Sequence, residues 1–356
     1  MQTLDQVYNA KDNTFDLLRF ILAVTVLFHH SYALLLNQED PVTHYLHEMS
    51  LGTLAVASFF IISGFFITQS FMYSNTFLSY MKKRVLRIFP AFLLSLGIIT
   101  FVLAPIVAVG NLDYMTLEKG SALAFFFKAG SLHLLGYSWG INGVYESLPV
   151  PSSLNGSMWT LKFEFIAYIL MPFFLIIVSK NKSLYVTISG AIVLLATLNL
   201  INEYKLFDIP CCRAWVFSNN EYNSFILFLA YFQMGSLLFI FKDKVLVSYK
   251  ILIAMLIVLL IVNSFNGSMS ILTLLFFPYI IITLGSMVKL QLFTKYGDFS
   301  YGMYIFAFPV QQSLVYFYDA DISIVKFIIL SFFITFAISI ISWHFIEKQA
   351  LRFKNK

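Results

Sequence analysis

Charged residues are scarce in this chain of 356 residues. Only 12% of its residues are Asp, Glu, Lys or Arg, whereas 59% are hydrophobic and 18% are aromatic. Because a soluble domain carries about 25% charged residues, this balance excludes an ordinary soluble enzyme. The apolar runs are about 20 residues long, which is the length of a spanning helix rather than of a barrel strand. The composition therefore predicts an all-α, polytopic integral membrane bundle, folded as a single transmembrane domain over residues 1–356.

Cysteine is scarce, and a leader cleavage site and internal repeats are missing. The two cysteines are the adjacent pair Cys211 and Cys212, so no disulfide framework follows and the role of the pair stays open. No small-residue cleavage site follows the first apolar run, which predicts a retained span rather than a removed signal peptide. We find no repeat, which disfavours a transporter built from repeated halves. The net charge of +5 is read as a topology signal, not as a nucleic-acid signal.

The apolar runs predict ten spanning helices. Their expected ranges are 15–36, 51–72, 88–109, 158–178, 183–201, 222–241, 249–264, 267–288, 299–318 and 323–345. If residues 1–14 are cytoplasmic, the inner segments hold most of the basic residues. The outer segments then hold only Lys119, Lys128, Lys205 and Arg213. The positive-inside rule therefore predicts that both termini, including the tail 346–356, are cytoplasmic. The longest outer loop, 110–157, contains the apolar patch ALAFFF and is expected to be a structured cover with a helix of its own.

Three polar residues share one face of the first predicted span. At about 100° per residue, eleven residues bring His30 to within about 20° of Arg19, about 16 Å further along the helix. Asp16 lies about 60° from Arg19, whereas His29 points roughly 80° off this stripe. Ionisable groups within a span are costly and often functional. His30 is the candidate for proton transfer, and a hydrogen bond to a neighbouring helix is the alternative.

A basic cluster follows the second span. Arg84 and Arg87 share a helix face and suit one phosphate or pyrophosphate group, whereas Lys82 and Lys83 are expected to be topology anchors. Pro90 is expected near the start of the third span. Small residues in the second span, Ser63 and Gly64 before Phe65, favour helix packing over chemistry.

A carboxylate lies about two turns into the fourth predicted span. Glu164 needs a partner in an apolar environment, which makes it a site candidate. Lys162 lies on the opposite side of the helix and is expected to extend outward to the interface. Trp159 has the alternative role of an interfacial belt residue. Near the C-terminus, the segments around Ser300 and Tyr301 and around His344 and Glu347 favour a local structural role.

Taken in order, several segments resemble the acyltransferase-3 family of membrane O-acyltransferases. The segments are FDLLRFILAVTVLFHH, FFIISGFFIT, KKRVLRIFPAF, NGSMWTLKFEFIAY, GDFSYGMYIFAFPV and WHFIEK. The family pattern corresponds here to Arg19 and His30, Ser63 to Phe65, Arg84 and Arg87, and Trp159 and Glu164. One departure is Gln349, where relatives often carry proline. Many relatives also carry a fused esterase-like domain, whereas this chain is expected to be of the transmembrane-only type.

The resemblance implies an O-acetyltransferase of the bacterial cytoplasmic (inner) membrane. Acetyl-CoA would be the acyl donor, and a surface glycan such as lipopolysaccharide O-antigen, an exopolysaccharide or a lipid-linked glycan would be the acceptor. The acceptor sugar, the length of the acyl group and the oligomeric state, a homo-oligomer included, stay open. Membrane lipids are the expected surroundings, and neither a nucleic acid nor a metal is expected.

The resemblance also suggests a mechanism. Arg84 and Arg87, with Ser63, would bind the donor, while Asp16 and Arg19 would line its path. His30 would act as general base or carry the acyl group, with Glu164 orienting or charging it. Acceptor recognition is expected on loop 110–157, with candidates Trp139, Tyr145, Glu146 and Asn155. The alternatives are a transporter or flippase of a glycan intermediate, and a structural scaffold.

Overall fold

The computed structural model describes most of the chain. The described residues are 1–10, 12–46, 49–74, 76–201, 221–265, 269–290 and 296–355. The cysteine pair, Cys211 and Cys212, and nearly all of the predicted outer loop 202–221 lie outside this part.

Helices account for almost all regular structure among the described residues. The helices are α1 (Leu4–Val7), α2 (Phe15–Leu36), α3 (Pro41–Leu46), α4 (Leu51–Met72), α5 (Phe77–Ile98), α6 (Ala104–Val107), α7 (Ala122–Gly130), α8 (Trp159–Lys180), α9 (Lys182–Ile201), α10 (Glu221–Ile240), α11 (Tyr249–Ser264), α12 (Met269–Met287), α13 (Ser300–Phe317), α14 (Ile324–Ser342) and α15 (Lys348–Arg352). Two short strands, β1 (Gln2–Thr3) and β2 (Leu246–Val247), pair antiparallel. The predicted all-α membrane bundle is confirmed.

Each of the ten predicted spans corresponds to a helix. Within the described ranges, eight helices are long and apolar enough to cross a membrane. The other two are α11 and α13. At 16 residues α11 is about 24 Å long, which is less than the roughly 30 Å of a hydrocarbon core. Helix α13 contains several buried polar residues, among them Ser300, Gln311 and Gln312.

The third span differs from its predicted limits. Its helix begins at Phe77 rather than at residue 88, and it continues through a π-helical segment, Ile99–Leu103, to Val107. The basic cluster therefore lies within the helix rather than before it, and Pro90 is interior to α5. Lys and Arg are good helix formers, so the helix extends beyond the apolar window by which the span was predicted. Helical structure likewise continues through the predicted tail, by way of the π-helical segment Trp343–Glu347 and α15.

The contacts of the chain group into two compact units, each discontinuous in sequence. The first comprises Met1–Leu22, Val42–Met81 and Phe163–Tyr296. The second comprises Ala23–Pro41, Lys82–Lys162 and Gly297–Lys356.

Close contact between α4 and α10 dominates the first unit. A Cβ atom on Gly64 would lie 1.9 Å from the carbonyl oxygen of Phe232, and one on Gly235 would lie 2.1 Å from that of Ile61. The absence of side chains at these two positions lets the backbones touch, as small residues do in membrane bundles. The packing interpretation of Gly64 is therefore confirmed.

The second unit is organised around α13. Its buried amide Gln312 donates to the carbonyl oxygens of Val150 and Ser153 at 2.9 and 2.8 Å. Asn155 in turn donates to the carbonyl oxygen of Ile305 at 2.9 Å. These bonds fix the end of the long loop against α13, and α7 supplies the helix that the sequence predicted there. Loop 110–157 is therefore a structured segment.

The glycine contact yields a prediction on stability. Gly64→Ala should destabilise the protein by about 1–3 kcal/mol, because its methyl group would overlap the α10 backbone. The matched control is Gly190→Ala on α9, where a Cβ meets nothing within 4 Å and helix propensity favours alanine. Thermal unfolding in detergent should show a lower midpoint for the first variant only. Equal midpoints for the two variants would contradict the close contact.

Candidate active site

Two elements of the second unit position His30. Its ring lies edge-on to Phe308 of α13, with centroids 5.2 Å apart. One turn further along α13, the Gln311 amide donates to the Leu27 carbonyl oxygen at 2.9 Å and to Ser31 Oγ at 2.8 Å. This helix therefore holds the backbone of α2 on either side of His30.

The imidazole of His30 has no hydrogen-bond partner among the described residues. Its Nδ1 atom is buried and unpaired. The alternative interpretation, a histidine bonded to a neighbouring helix, finds no such bond in the described part of the chain. A buried imidazole without a protein partner is placed to interact with a ligand or a reacting group.

A carboxylate contacts the neighbouring histidine instead. Nδ1 of His29 lies 2.7 Å from Oδ2 of Asp40, whose side chain is completely buried. Asp40 directly precedes Pro41, the first residue of α3. This pair was not predicted, because the distance depends on how the chain turns after α2.

Asp16 and Arg19, which helical periodicity placed close together on one face, form an ion pair in the first unit. The two side chains lie 3.4 Å apart, and the guanidinium carbon of Arg19 lies 4.9 Å from the ring centroid of Phe66. Tyr8 packs edge-on against the same ring, and its hydroxyl donates to Gln69 at 2.8 Å. Burial raises the pKa of Tyr8 to about 12, so its hydroxyl stays neutral. Arg19 thus has a carboxylate on one side and neutral aromatic rings on the other.

Two hydroxyl groups hold Glu164 in the first unit. Ser63 Oγ donates to Oε1 of Glu164 at 2.8 Å, and the Tyr168 hydroxyl donates to the same oxygen. Tyr168 lies one turn after Glu164 on α8, and its own carbonyl oxygen accepts from Tyr80 at 2.9 Å. The network explains how a carboxylate is accommodated in an apolar helix, and it gives Ser63 a local partner. That Glu164 orients His30, and that Ser63 contacts the donor, both stay predictions.

Arg87 in the second unit contacts two carboxylates. Its Nη2 lies 2.5 Å from Oδ2 of Asp298, and its Nη1 lies 3.6 Å from Oε2 of Glu347. The same guanidinium lies 5.6 Å from the ring centroid of Tyr301. Arg84 is half-buried one turn earlier on α5. The predicted phosphate-binding arginine is thus also the residue that ties α5 to the start of α13 and to the segment after α14.

The two C-terminal segments have the local structural role that the sequence favoured. Asp298 accepts from the backbone amide of Ser300 at 3.2 Å at the start of α13. Ser342 Oγ donates to Oε1 of Glu347 at 3.0 Å. Their additional contact with Arg87 was missed, although the acidic residues in GDFS and FIEK were visible signals.

The expectation that Lys162 extends outward is wrong. Its side chain is buried, with 1% of the residue exposed, and Nζ donates to the Tyr137 hydroxyl at 3.0 Å. The ring of Tyr137 stacks on His133, which in turn lies 4.3 Å from Trp139 between centroids. The long loop therefore covers the start of α8. It gives Lys162 a polar partner within the protein, where the sequence indicated that the membrane–water interface would provide one.

The predicted site residues are divided between the two units. The first holds Asp16, Arg19, Ser63 and Glu164, and the second holds His30, Arg84 and Arg87. The structure brings together Asp16 with Arg19 and Ser63 with Glu164. In the described ranges, no group of three or more His, Cys, Asp or Glu side chains is placed to hold a metal ion.

Comparison with known proteins identifies the family. The acyltransferase domain of the acyltransferase-3 family matches residues 12–344. The chain is 27% identical over 355 residues to an O-acetyl transferase of Shigella phage Sf6, with 96% of each chain covered. It is also 28% identical over 219 residues to nodulation protein 10 of Rhizobium leguminosarum bv. viciae, with 58% of each covered. No solved structure shows a significant match.

A match over nearly the whole chain favours an enzyme over the transporter and scaffold alternatives. The match also agrees with the family-like segments recognised in the sequence, which lie in the expected order on α2, α4, α5, α8 and α13. The protein belongs to the acyltransferase-3 family and is a multi-pass membrane acyltransferase.

Proposed function

We propose that this protein is an O-acetyltransferase of the bacterial inner membrane. It moves an acetyl group from cytoplasmic acetyl-CoA to a sugar hydroxyl of a surface glycan, such as lipopolysaccharide O-antigen or an exopolysaccharide. The observation that carries the proposal is the nearly full-length match to a protein named O-acetyl transferase. The unpaired imidazole of His30, on the helix that bears the family's arginine and histidine, supports it at residue level.

His30 is the proposed catalytic centre. Acyl transfer to a hydroxyl requires a group that removes the hydroxyl proton or carries the acyl group, and neutral imidazole does either near neutral pH. Hydrogen bonds from Gln311 to Leu27 and Ser31 fix the helix backbone next to His30. A rigid backbone of this kind limits the motion of the ring, which favours transfer at a fixed geometry.

The cytoplasmic ends of the helices are the proposed donor side. The basic residues cluster on the side assigned to the cytoplasm, where acetyl-CoA is available. Arg84 and Arg87 would hold its phosphates. Arg87 already contacts Asp298 and Glu347, so a phosphate there competes with carboxyl groups for the guanidinium. Loss of Arg87 is therefore expected to lower stability as well as donor affinity.

The acceptor side is proposed to involve loop 110–157. Trp139 packs on His133 and still has 37% of its surface exposed. The exposed part of its indole ring is available to an extended ligand such as a sugar. Bonds from Gln312 and Asn155 anchor the loop to α13, the helix that also contacts His30.

One prediction of the proposed function concerns His30. His30→Ala should lower the rate of acetyl transfer by roughly 10²–10⁴-fold, the usual contribution of a general acid–base group, while acetyl-CoA still binds. Transfer of radiolabelled acetyl to membrane glycan by purified protein measures the rate. The matched control is His344→Ala, an exposed histidine near the C-terminus. Native activity in the folded His30→Ala variant would remove His30 from the mechanism.

Another prediction of the proposed function concerns donor affinity. Arg84→Ala should raise the dissociation constant of acetyl-CoA by about 10–100-fold, as loss of a charge-assisted hydrogen bond does. Arg87→Ala should in addition lower the thermal midpoint, because buried Glu347 and half-buried Asp298 lose their cation. The control Lys82→Ala, an expected topology anchor, should leave affinity unchanged. Normal affinity in both folded arginine variants would show that the donor binds elsewhere.

A further inference from the structure

The strongest unexplained feature of the second unit is the contact between His29 and Asp40. The Nδ1–Oδ2 distance is 2.7 Å, and the Asp40 side chain is 0% exposed. A buried carboxylate is costly unless a hydrogen bond or a cation compensates it. His29 provides that partner, so the pair holds the segment that follows α2 against this helix.

The contact also sets the chemistry of the ring. A carboxylate at Nδ1 fixes the tautomer with the proton on Nδ1, which leaves the lone pair on Nε2 as a proton acceptor. The side chain of His29 keeps 21% of its surface exposed, and no described residue hydrogen-bonds its Nε2. Nε2 is therefore available to a substrate, and a proton that it accepts is stabilised by the negative charge of Asp40.

The two adjacent histidines have opposite environments. Their ring centroids lie 5.8 Å apart with an angle of 45° between the rings, so the two imidazoles are direct neighbours. His30 packs against Phe308 and has no hydrogen-bond partner in the described part of the chain, whereas His29 has a carboxylate. Of the two, His29 has the arrangement of a general base.

We propose that His29 is a second catalytic histidine, which accepts the proton of the acceptor hydroxyl, and that Asp40 is its positioning residue. The assignment rests on the proposed acyl transfer. As the hydroxyl oxygen forms a bond to the acyl carbon of the thioester, His29 Nε2 takes the hydroxyl proton. The carbon–sulfur bond then breaks, and the proton returns to the departing thiolate. In this direct transfer His30 neither takes the proton nor carries the acyl group, and its remaining role is to contact the reacting groups.

The decisive variant is His29→Asn. The amide nitrogen of asparagine occupies nearly the position of Nδ1, so it can still donate to Asp40 and keep the loop closed. It has no group at the position of Nε2. We expect a folded protein with an unchanged Michaelis constant for acetyl-CoA and a turnover number lowered by roughly 10²–10⁴-fold.

Asp40→Asn tests the positioning residue. It keeps the size of the side chain but removes the charge that fixes the tautomer and stabilises the protonated ring. Turnover per folded molecule should fall without a change in the Michaelis constant for acetyl-CoA. The matched controls are Glu39→Gln and His44→Asn, which alter exposed residues on either side of Asp40 and should leave turnover unchanged. Added imidazole should partly restore turnover to a His29→Ala variant.

Three outcomes would overturn the proposal. Native turnover in folded His29→Asn would show that Nε2 takes no part. A lower melting temperature with unchanged turnover in both variants would show that the pair only closes the loop. Absence of acetyl transfer by the native protein would remove the proposed function and this inference with it, whereas the first two outcomes leave the proposed function intact.

Discussion

Polar side chains in this protein must find partners within the chain, because its helices are too apolar for water to serve them. The charged groups of the candidate site follow this constraint. Asp16 pairs with Arg19, Glu164 accepts from Ser63 and Tyr168, and Arg87 contacts Asp298 and Glu347. In contrast to these three groups, Nδ1 of His30 is buried and has no hydrogen-bond partner in the described part of the chain. A substrate is expected to supply the hydrogen-bond partner that the described residues do not provide at this atom.

The same constraint explains the composition of α13. This helix carries the buried amides Gln311 and Gln312, which bond the histidine-bearing segment of α2 and the end of loop 110–157 respectively. Both amides are completely buried, so these polar groups of α13 face protein. One helix thereby connects the proposed catalytic histidine with the loop proposed to meet the acceptor. In the second unit, the residues that fix α2 and the long loop in place therefore also position the proposed catalytic histidine and acceptor side.

The sequence predicted what depends on local patterns. Apolar runs located the helices, helical periodicity placed Asp16 beside Arg19, and ordered segments indicated the family. It did not predict Asp40 beside His29 or Asp298 beside Arg87, because these distances depend on loop conformation and on helix packing. The expected outward orientation of Lys162 was wrong for the same reason, because the fold of the long loop places its partner Tyr137 beside it. Residues distant in sequence become neighbours only through tertiary packing, which periodicity does not report.

The proposed reaction is acetyl transfer to a surface glycan that depends on the histidines of α2. The most direct measurement is mass spectrometry of surface polysaccharide from cells expressing the native chain and from cells lacking it, before and after mild base. We expect an acetyl-sized mass increment, removed by base, only in cells with the native chain. Identical polysaccharide masses in the two strains, or loss of the whole polysaccharide from one surface, would contradict it.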